Sequence, residues 1–132
     1  MREREVVDAV EHELAGAKRA FFNIHGSSFG RAGTPDFLTH DAAGVMLGVE
    51  CKAPGAEPVV SQWRVAIEML KAGLRYAVAY DDFSIAALDA GMLPKVAVGS
   101  RIGESEFEAR GPSKAHSYEV VLECGEDDGE QC

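Results

Sequence analysis

Gly33-Thr34-Pro35-Asp36-Phe37-Leu38-Thr39-His40-Asp41-Ala42-Ala43-Gly44-Val45-Met46-Leu47-Gly48-Val49-Glu50-Cys51-Lys52 reads as two strands joined by a turn. Phe37-Leu38-Thr39 and Val45 to Cys51 are rich in strand-forming residues, and Asp41-Ala42-Ala43-Gly44 has the chemistry of a turn between them. Folding the chain there sets Asp36 opposite or diagonal to Glu50. Opposed residues of an antiparallel pair have Cβ atoms about 4.5–5.5 Å apart on one face, so two carboxylates at those positions can share one ion, and without a cation they repel.

Strand alternation adds a third group. Side chains point to opposite faces with a period of two, so Glu50 and Lys52 emerge together while Cys51 points away. Val45, Leu47, Val49 and Cys51 then form an apolar face, and Met46, Gly48, Glu50 and Lys52 form the face that carries the chemistry.

Asp36 followed by Glu50-Cys51-Lys52 matches the PD-(D/E)XK signature, and the surrounding sequence resembles one branch of that superfamily, the VRR-NUC nuclease domain. Gly33, two residues before Pro35-Asp36, the turn Lys52-Ala53-Pro54-Gly55 and the pair Ser61-Gln62 opening the next helix all follow that branch's pattern. The resemblance covers about Glu3 to Leu93. It implies a restriction-endonuclease-like α/β/α sandwich around a central mixed β-sheet, with residues 1–93 as nuclease core, 94–122 as a strand extension of the same domain, and 123–132 as an acidic tail.

The resemblance also implies an activity. Asp36, Glu50, Lys52 and Gln62 would be catalytic. Asp36, Glu50, the Cys51 backbone carbonyl and Glu3 would ligate Mg²⁺ or Mn²⁺ through oxygen, as hard cations prefer. Ser28 and Arg31, in the Gly/Ser-rich stretch from His25 to Ala32, would lie near the scissile phosphate. The reaction is then hydrolysis of DNA phosphodiester bonds. Stand-alone members resemble small phage and bacterial nucleases that cut branched DNA, such as Holliday junctions or flaps, as homodimers. Two other classes fit the composition: a non-catalytic nuclease-fold binding module, and an acidic regulator of a DNA-binding partner.

Composition bounds the rest. At 132 residues and 46% hydrophobic, the chain makes one compact domain. No apolar run approaches the ~20 residues of a membrane span, and Met1-Arg2-Glu3-Arg4-Glu5 is no signal peptide, so a cytoplasmic protein is expected. Cys51, Cys124 and Cys132 have neither the number nor the spacing of a disulfide framework or a zinc site, and Cys51 reads as a small core residue. The net charge of −9 disfavours non-specific nucleic-acid binding. Glu123, Glu126, Asp127, Asp128 and Glu130 account for −5 of it and leave −4 elsewhere, part of that being the proposed metal ligands.

Along the chain, Val7, Val10, Leu14 and Ala17 repeat at helical spacing and predict a helix from Glu3 to about Ala20. Glu3 lies on that stripe and Glu5 off it, which favours Glu3 as the first-helix ligand; acidic residues also suit a helix N-terminus through the macrodipole. Phe21-Phe22-Asn23-Ile24 predicts a strand. Ser61 to Ala72 predicts a helix ended by Gly73, with Trp63, Ala66, Ile67 and Leu70 on its apolar face. Arg75 to Tyr80 predicts an interior strand, and Asp82 or Ser84 the cap of a short helix ending near Gly91. The strand-helix-strand unit calls for a parallel crossover. Lys95 to Val98 and Tyr118 to Leu122 predict strands that pair with each other or extend the sheet. His12 and His116 fit solvated positions, and nothing in their spacing makes His25 or His40 a metal ligand.

Overall fold

The computed structural model describes residues 1–25, 31–99 and 114–123. Nine elements follow in order: α1 (Glu3–Gly16), β1 (Phe22–Asn23), β2 (Phe37–His40), β3 (Met46–Cys51), α2 (Val60–Lys71), β4 (Arg75–Ala79), α3 (Ile85–Asp89), β5 (Lys95–Val98) and β6 (Tyr118–Leu122). The strands form one mixed sheet in the order β1-β2-β3-β4-β6-β5. β1, β2 and β3 are antiparallel, β3 and β4 parallel, β4 and β6 antiparallel, and β5 parallel to β6. The two C-terminal strands therefore both pair with each other and extend the sheet.

Alternation divides the side chains of the central strands between two cores. Leu47, Val49, Cys51, Ala77 and Ala79 pack with Val6, Val7, Val10 and Leu14 of α1 and with Ile85 and Leu88 of α3. Tyr76, Val78, Val96, Tyr118 and Val120 pack with Trp63, Ala66 and Ile67 of α2. Trp63 is thus a core residue. No helix among the described residues is long and apolar enough to cross a membrane.

Several boundaries differ from expectation; among them α2 spans Val60–Lys71, β2 runs on to His40 and β3 starts at Met46, each a difference of one residue. Helix α1 stops at Gly16, short of Ala20, because Lys18 turns left-handed (φ 59°) and the Lys18 and Arg19 N–H groups close back on Ala15 and Leu14 carbonyls. The turn delivers the Arg19 guanidinium to Asp89 on α3 and to the His40 carbonyl. Strand β1 shortens to Phe22–Asn23. Strand β4 ends at Ala79, with Tyr80 just beyond it and buried. Ser84, not Asp82, caps α3 by accepting from the Ala87 N–H at 3.1 Å. Asp82 instead accepts from the Ser117 N–H and hydroxyl at 2.9 and 2.7 Å, which anchors the start of β6.

An ion triad of a half-buried arginine and two buried carboxylates ties the sheet together at the end away from Lys52. Arg75 on β4 donates to Glu119 on β6 through two 2.8 Å bonds and to Asp41, in the β2–β3 turn, at 2.9 Å. Burial works to raise the Asp41 carboxyl, but the Arg75 guanidinium and the Val45 and Ala43 N–H groups outweigh it and hold the group below its ordinary 3.8. Arg19 likewise depresses Asp89. A depressed carboxyl contributes stability in full above its unfolded pKa and loses it as pH falls through the folded value. Thermal unfolding followed by circular dichroism should therefore show the melting temperature dropping below pH 4. A melting temperature flat down to pH 2.5 would mean that these pairs add nothing.

Candidate active site

The register of the hairpin brings the site together. Phe37 pairs with Val49, so Asp36, one residue outside the ladder, falls across from Glu50. Asp36 is fixed twice: its Oδ2 accepts from the Cys51 N–H at 2.8 Å, and its carbonyl accepts from the Ile24 N–H at 2.7 Å. Glu50 follows Gly48 on the α2 face of β3. The Cys51 side chain turns into the opposite core, where burial pushes the thiol up and makes it inert.

Helix α2 contributes Gln62 through its own N-terminus. The Val59 N–H, unsatisfied by the helix, donates to Gln62 Oε1 at 2.8 Å, and this reach-back leaves Nε2 to donate to Glu50 Oε2 at 3.0 Å. Lys52, 8% exposed, stands with Nζ 4.0 Å from the same oxygen. The turn after Lys52 is held by the Ala56 N–H on the Ala53 carbonyl at 2.9 Å, by Gly55 at φ 92°, and by the Tyr80 hydroxyl on the Ala56 carbonyl at 2.6 Å.

Gly33 sets how close α2 comes to the Asp36 strand. Its φ is 90°, and a Cβ there would stand 2.2 Å from the Ser61 carbonyl oxygen and 3.0 Å from the Gln62 nitrogen. Only a residue without a side chain lets the first turn of α2 sit against the Gly33-to-Asp36 segment.

Helix α1 reaches the site from the opposite side. Glu5 bonds back to the Arg2 N–H at 3.2 Å, whereas Glu3 turns toward His25 and Asp36. His25 Nδ1 lies 2.5 Å from Asp36 Oδ1 and 3.7 Å from Glu3 Oε2. Glu3, His25 and Asp36 offer three ligand atoms that all lie within 4.8 Å of one another. The sequence reading gave His25 no ligand role. The signal that finds it is the β1–β2 register: Asn23 pairs with Phe37, so His25 follows onto the end of the strand beside Asp36.

Of the residues expected near substrate, Ser28 lies outside the described residues. Arg31 is exposed and its guanidinium is engaged by Glu68, further along α2 than Gln62, with bonds of 3.0 and 2.6 Å. The structure therefore brings Asp36, Glu50, Lys52, Gln62 and Glu3 together, while the Arg31 guanidinium is paired with the Glu68 carboxylate.

Glu50 is the electrostatic centre. Burial, then the charge of Asp36, pushes its carboxyl up to about 10, with Lys52 opposing. Its Oε1 is buried and makes no hydrogen bond. A deeply buried carboxylate oxygen without a partner, beside a second carboxylate, fits an oxygen-seeking divalent cation. The chain matches no family model, no curated protein and no solved structure.

The geometry of the site predicts a stability conflict. Below about pH 4.5 both folded and unfolded chains hold the Glu50 proton. Above it the unfolded chain ionises while the metal-free fold resists up to about 10, so the fold loses stability as pH rises. Gln at position 50 keeps the acceptor for Gln62 and stays neutral. Glu50→Gln should raise the melting temperature in EDTA at pH 8 by several degrees, consistent with about 1–2 kcal/mol, and change little at pH 4.5. Equal melting temperatures at both pH values would show that Glu50 is not strained by its burial.

Proposed function

We propose that the chain is a metal-dependent endodeoxyribonuclease with a restriction-endonuclease-like fold of the VRR-NUC type. The observation that carries this reading is the meeting of Asp36, Glu50, Lys52 and Gln62 at one strand end, with Glu50 Oε1 buried and unpartnered. Asp36, Glu50, the Cys51 carbonyl and Glu3 would hold Mg²⁺ or Mn²⁺. When bound, the ion supplies Lewis-acid stabilisation of the phosphate oxygens and acidifies a water.

The chain's own residues do the rest. The Cys51 N–H fixes the direction of the Asp36 carboxylate, and Gln62 holds Glu50 by one oxygen so that the other faces the cluster. Lys52, tethered near Glu50 by strand alternation, places a positive charge where the phosphate gains negative charge in the transition state and orients the attacking water. The net charge of −9 implies weak affinity for plain duplex and favours a substrate chosen by shape. Branched DNA, such as a four-way junction or a flap, is that substrate, and a homodimer with two sites related by a two-fold axis suits a symmetric junction.

The test is cleavage of labelled duplex, single-stranded, flap and four-way-junction DNAs in Mg²⁺, Mn²⁺ or EDTA, for wild type and Lys52→Ala. Metal-dependent products, strongest on branched DNA and lost in the variant, are expected. Binding without cleavage in either metal would overturn the reading in favour of a nuclease-fold binding module.

A further inference from the structure

The proposed oxygen ligands do not account for His25. Its main chain is held by the Asn23 side chain, whose Oδ1 accepts from the His25 N–H at 3.0 Å, and by the Ile24 N–H on the Asp36 carbonyl. Its ring nitrogen Nδ1 is aimed between two carboxylates, 2.5 Å from Asp36 and 3.7 Å from Glu3. Asp36 is thereby divided: Oδ2 is occupied by the Cys51 N–H, and Oδ1 faces His25. A second observation, next to that cluster, is Glu50, 2% exposed, whose Oε1 receives no donor and whose carboxyl lies against Asp36 and within the field of Glu3.

We infer that His25 is a direct ligand of the cation, completing a Glu3–His25–Asp36 seat, and that this nitrogen makes the site select Mn²⁺ over Mg²⁺ and Ca²⁺. The inference rests on the metal-dependent reading above and deepens it by naming the ion. Mn²⁺ is at home among carboxylates and also accepts an imidazole nitrogen, though less avidly than Fe²⁺, Ni²⁺ or Zn²⁺ do, whereas Mg²⁺ and Ca²⁺ take oxygen ligands almost exclusively. Mg²⁺ also demands near-ideal octahedral geometry and keeps several waters, which a ring nitrogen locked beside two carboxylates does not favour. Three ligand atoms within 4.8 Å of one another span the distances that a single ion bridges.

The experiment uses the full chain with the metals alone. Calorimetric titration with MnCl₂ and MgCl₂ is run on wild type, His25→Ala and Asp36→Asn, and pulsed electron paramagnetic resonance of the Mn²⁺-loaded wild type looks for modulation from a directly bound nitrogen. The expected result is nitrogen modulation in wild type and tighter binding of Mn²⁺ than of Mg²⁺. In His25→Ala, Mn²⁺ should bind about tenfold or more weakly while Mg²⁺ affinity moves less than about threefold. The wild-type spectrum decides even if His25→Ala does not fold. Mn²⁺ bound without nitrogen modulation, dependent on Asp36 but not on His25, would overturn this inference and leave the nuclease reading standing. Failure of wild type to bind either metal would overturn both.

Discussion

Asp36→Asn should abolish metal-dependent DNA cleavage, by a factor of about 1000 or more, in a chain that still folds. Asparagine keeps the shape of the side chain, and its carbonyl oxygen can still accept from the Cys51 N–H that fixes Asp36 at 2.8 Å. Its amide can then donate to His25 Nδ1, where the aspartate now meets the ring. What disappears is the negative charge that the proposed cation would require beside Glu50, Glu3 and His25. Because that charge also raises Glu50, the variant should lose none of its metal-free stability at neutral pH. Single-turnover cleavage of a four-way junction, with circular dichroism melts in EDTA, checks both halves. Cleavage within a few-fold of wild type would remove Asp36 from the mechanism, and a collapsed melt would make it a folding residue first.

The second large effect lies outside the charged cluster. Gly33→Ala should destabilise the fold by about 3 kcal/mol or more and weaken cleavage as well. Two terms add. A non-glycine residue held in the left-handed region costs about 1–2 kcal/mol, and a Cβ 2.2 Å from the Ser61 carbonyl oxygen forces α2 away from the Asp36 strand. Backbone gives way less readily than a side-chain tip, so the whole first turn must move and carry Gln62 off Glu50. Gly55→Ala provides the control, since Gly55 has φ 92° but nothing within 4 Å of a Cβ, leaving only the conformational term. The melting temperature should drop by about 10 °C for Gly33→Ala and by less than half of that for Gly55→Ala. Equal drops would mean that helix contact plays no part.

Why these features were or were not legible follows from how local each one is. The facing of Glu50 and Lys52 away from Cys51 is a consequence of strand alternation alone; the Asp41-to-Gly44 turn brings Asp36 opposite or diagonal to Glu50, and the Phe37–Val49 pairing decides between the two. Strands β5 and β6 were readable as strands, but the insertion of β6 between β4 and β5 has no local signal, because it is decided by which edge the chain returns to. Gln62 was assigned by resemblance, although its spacing from Val59 is that of a side chain reaching back to a helix N-cap. The pairing of Arg31 with Glu68 has no local signal, because the two lie far apart in sequence. The left-handed turn at Lys18 has no sequence signal, because lysine rarely adopts that conformation, and it is followed directly by Arg19 on Asp89. His25 required a strand of only two paired residues to be placed correctly before its neighbour could be known.

The position of β6 has a consequence for how the protein comes into being. During synthesis β4 emerges with one side already paired to β3, and β5 follows with no neighbour of its own in the sheet. Both wait for Tyr118–Leu122, which bridges them and brings Glu119 to Arg75. Until the ribosome has delivered that strand, an apolar edge stays open and the Arg75 guanidinium lacks the two hydrogen bonds to Glu119, a condition that invites chaperone binding or aggregation. A nascent chain arrested before Tyr118 should therefore be readily cleaved by protease, and one arrested well beyond Leu122 should resist it, so that the Asp36–Glu50 cluster gains its finished scaffold only once that strand has been made.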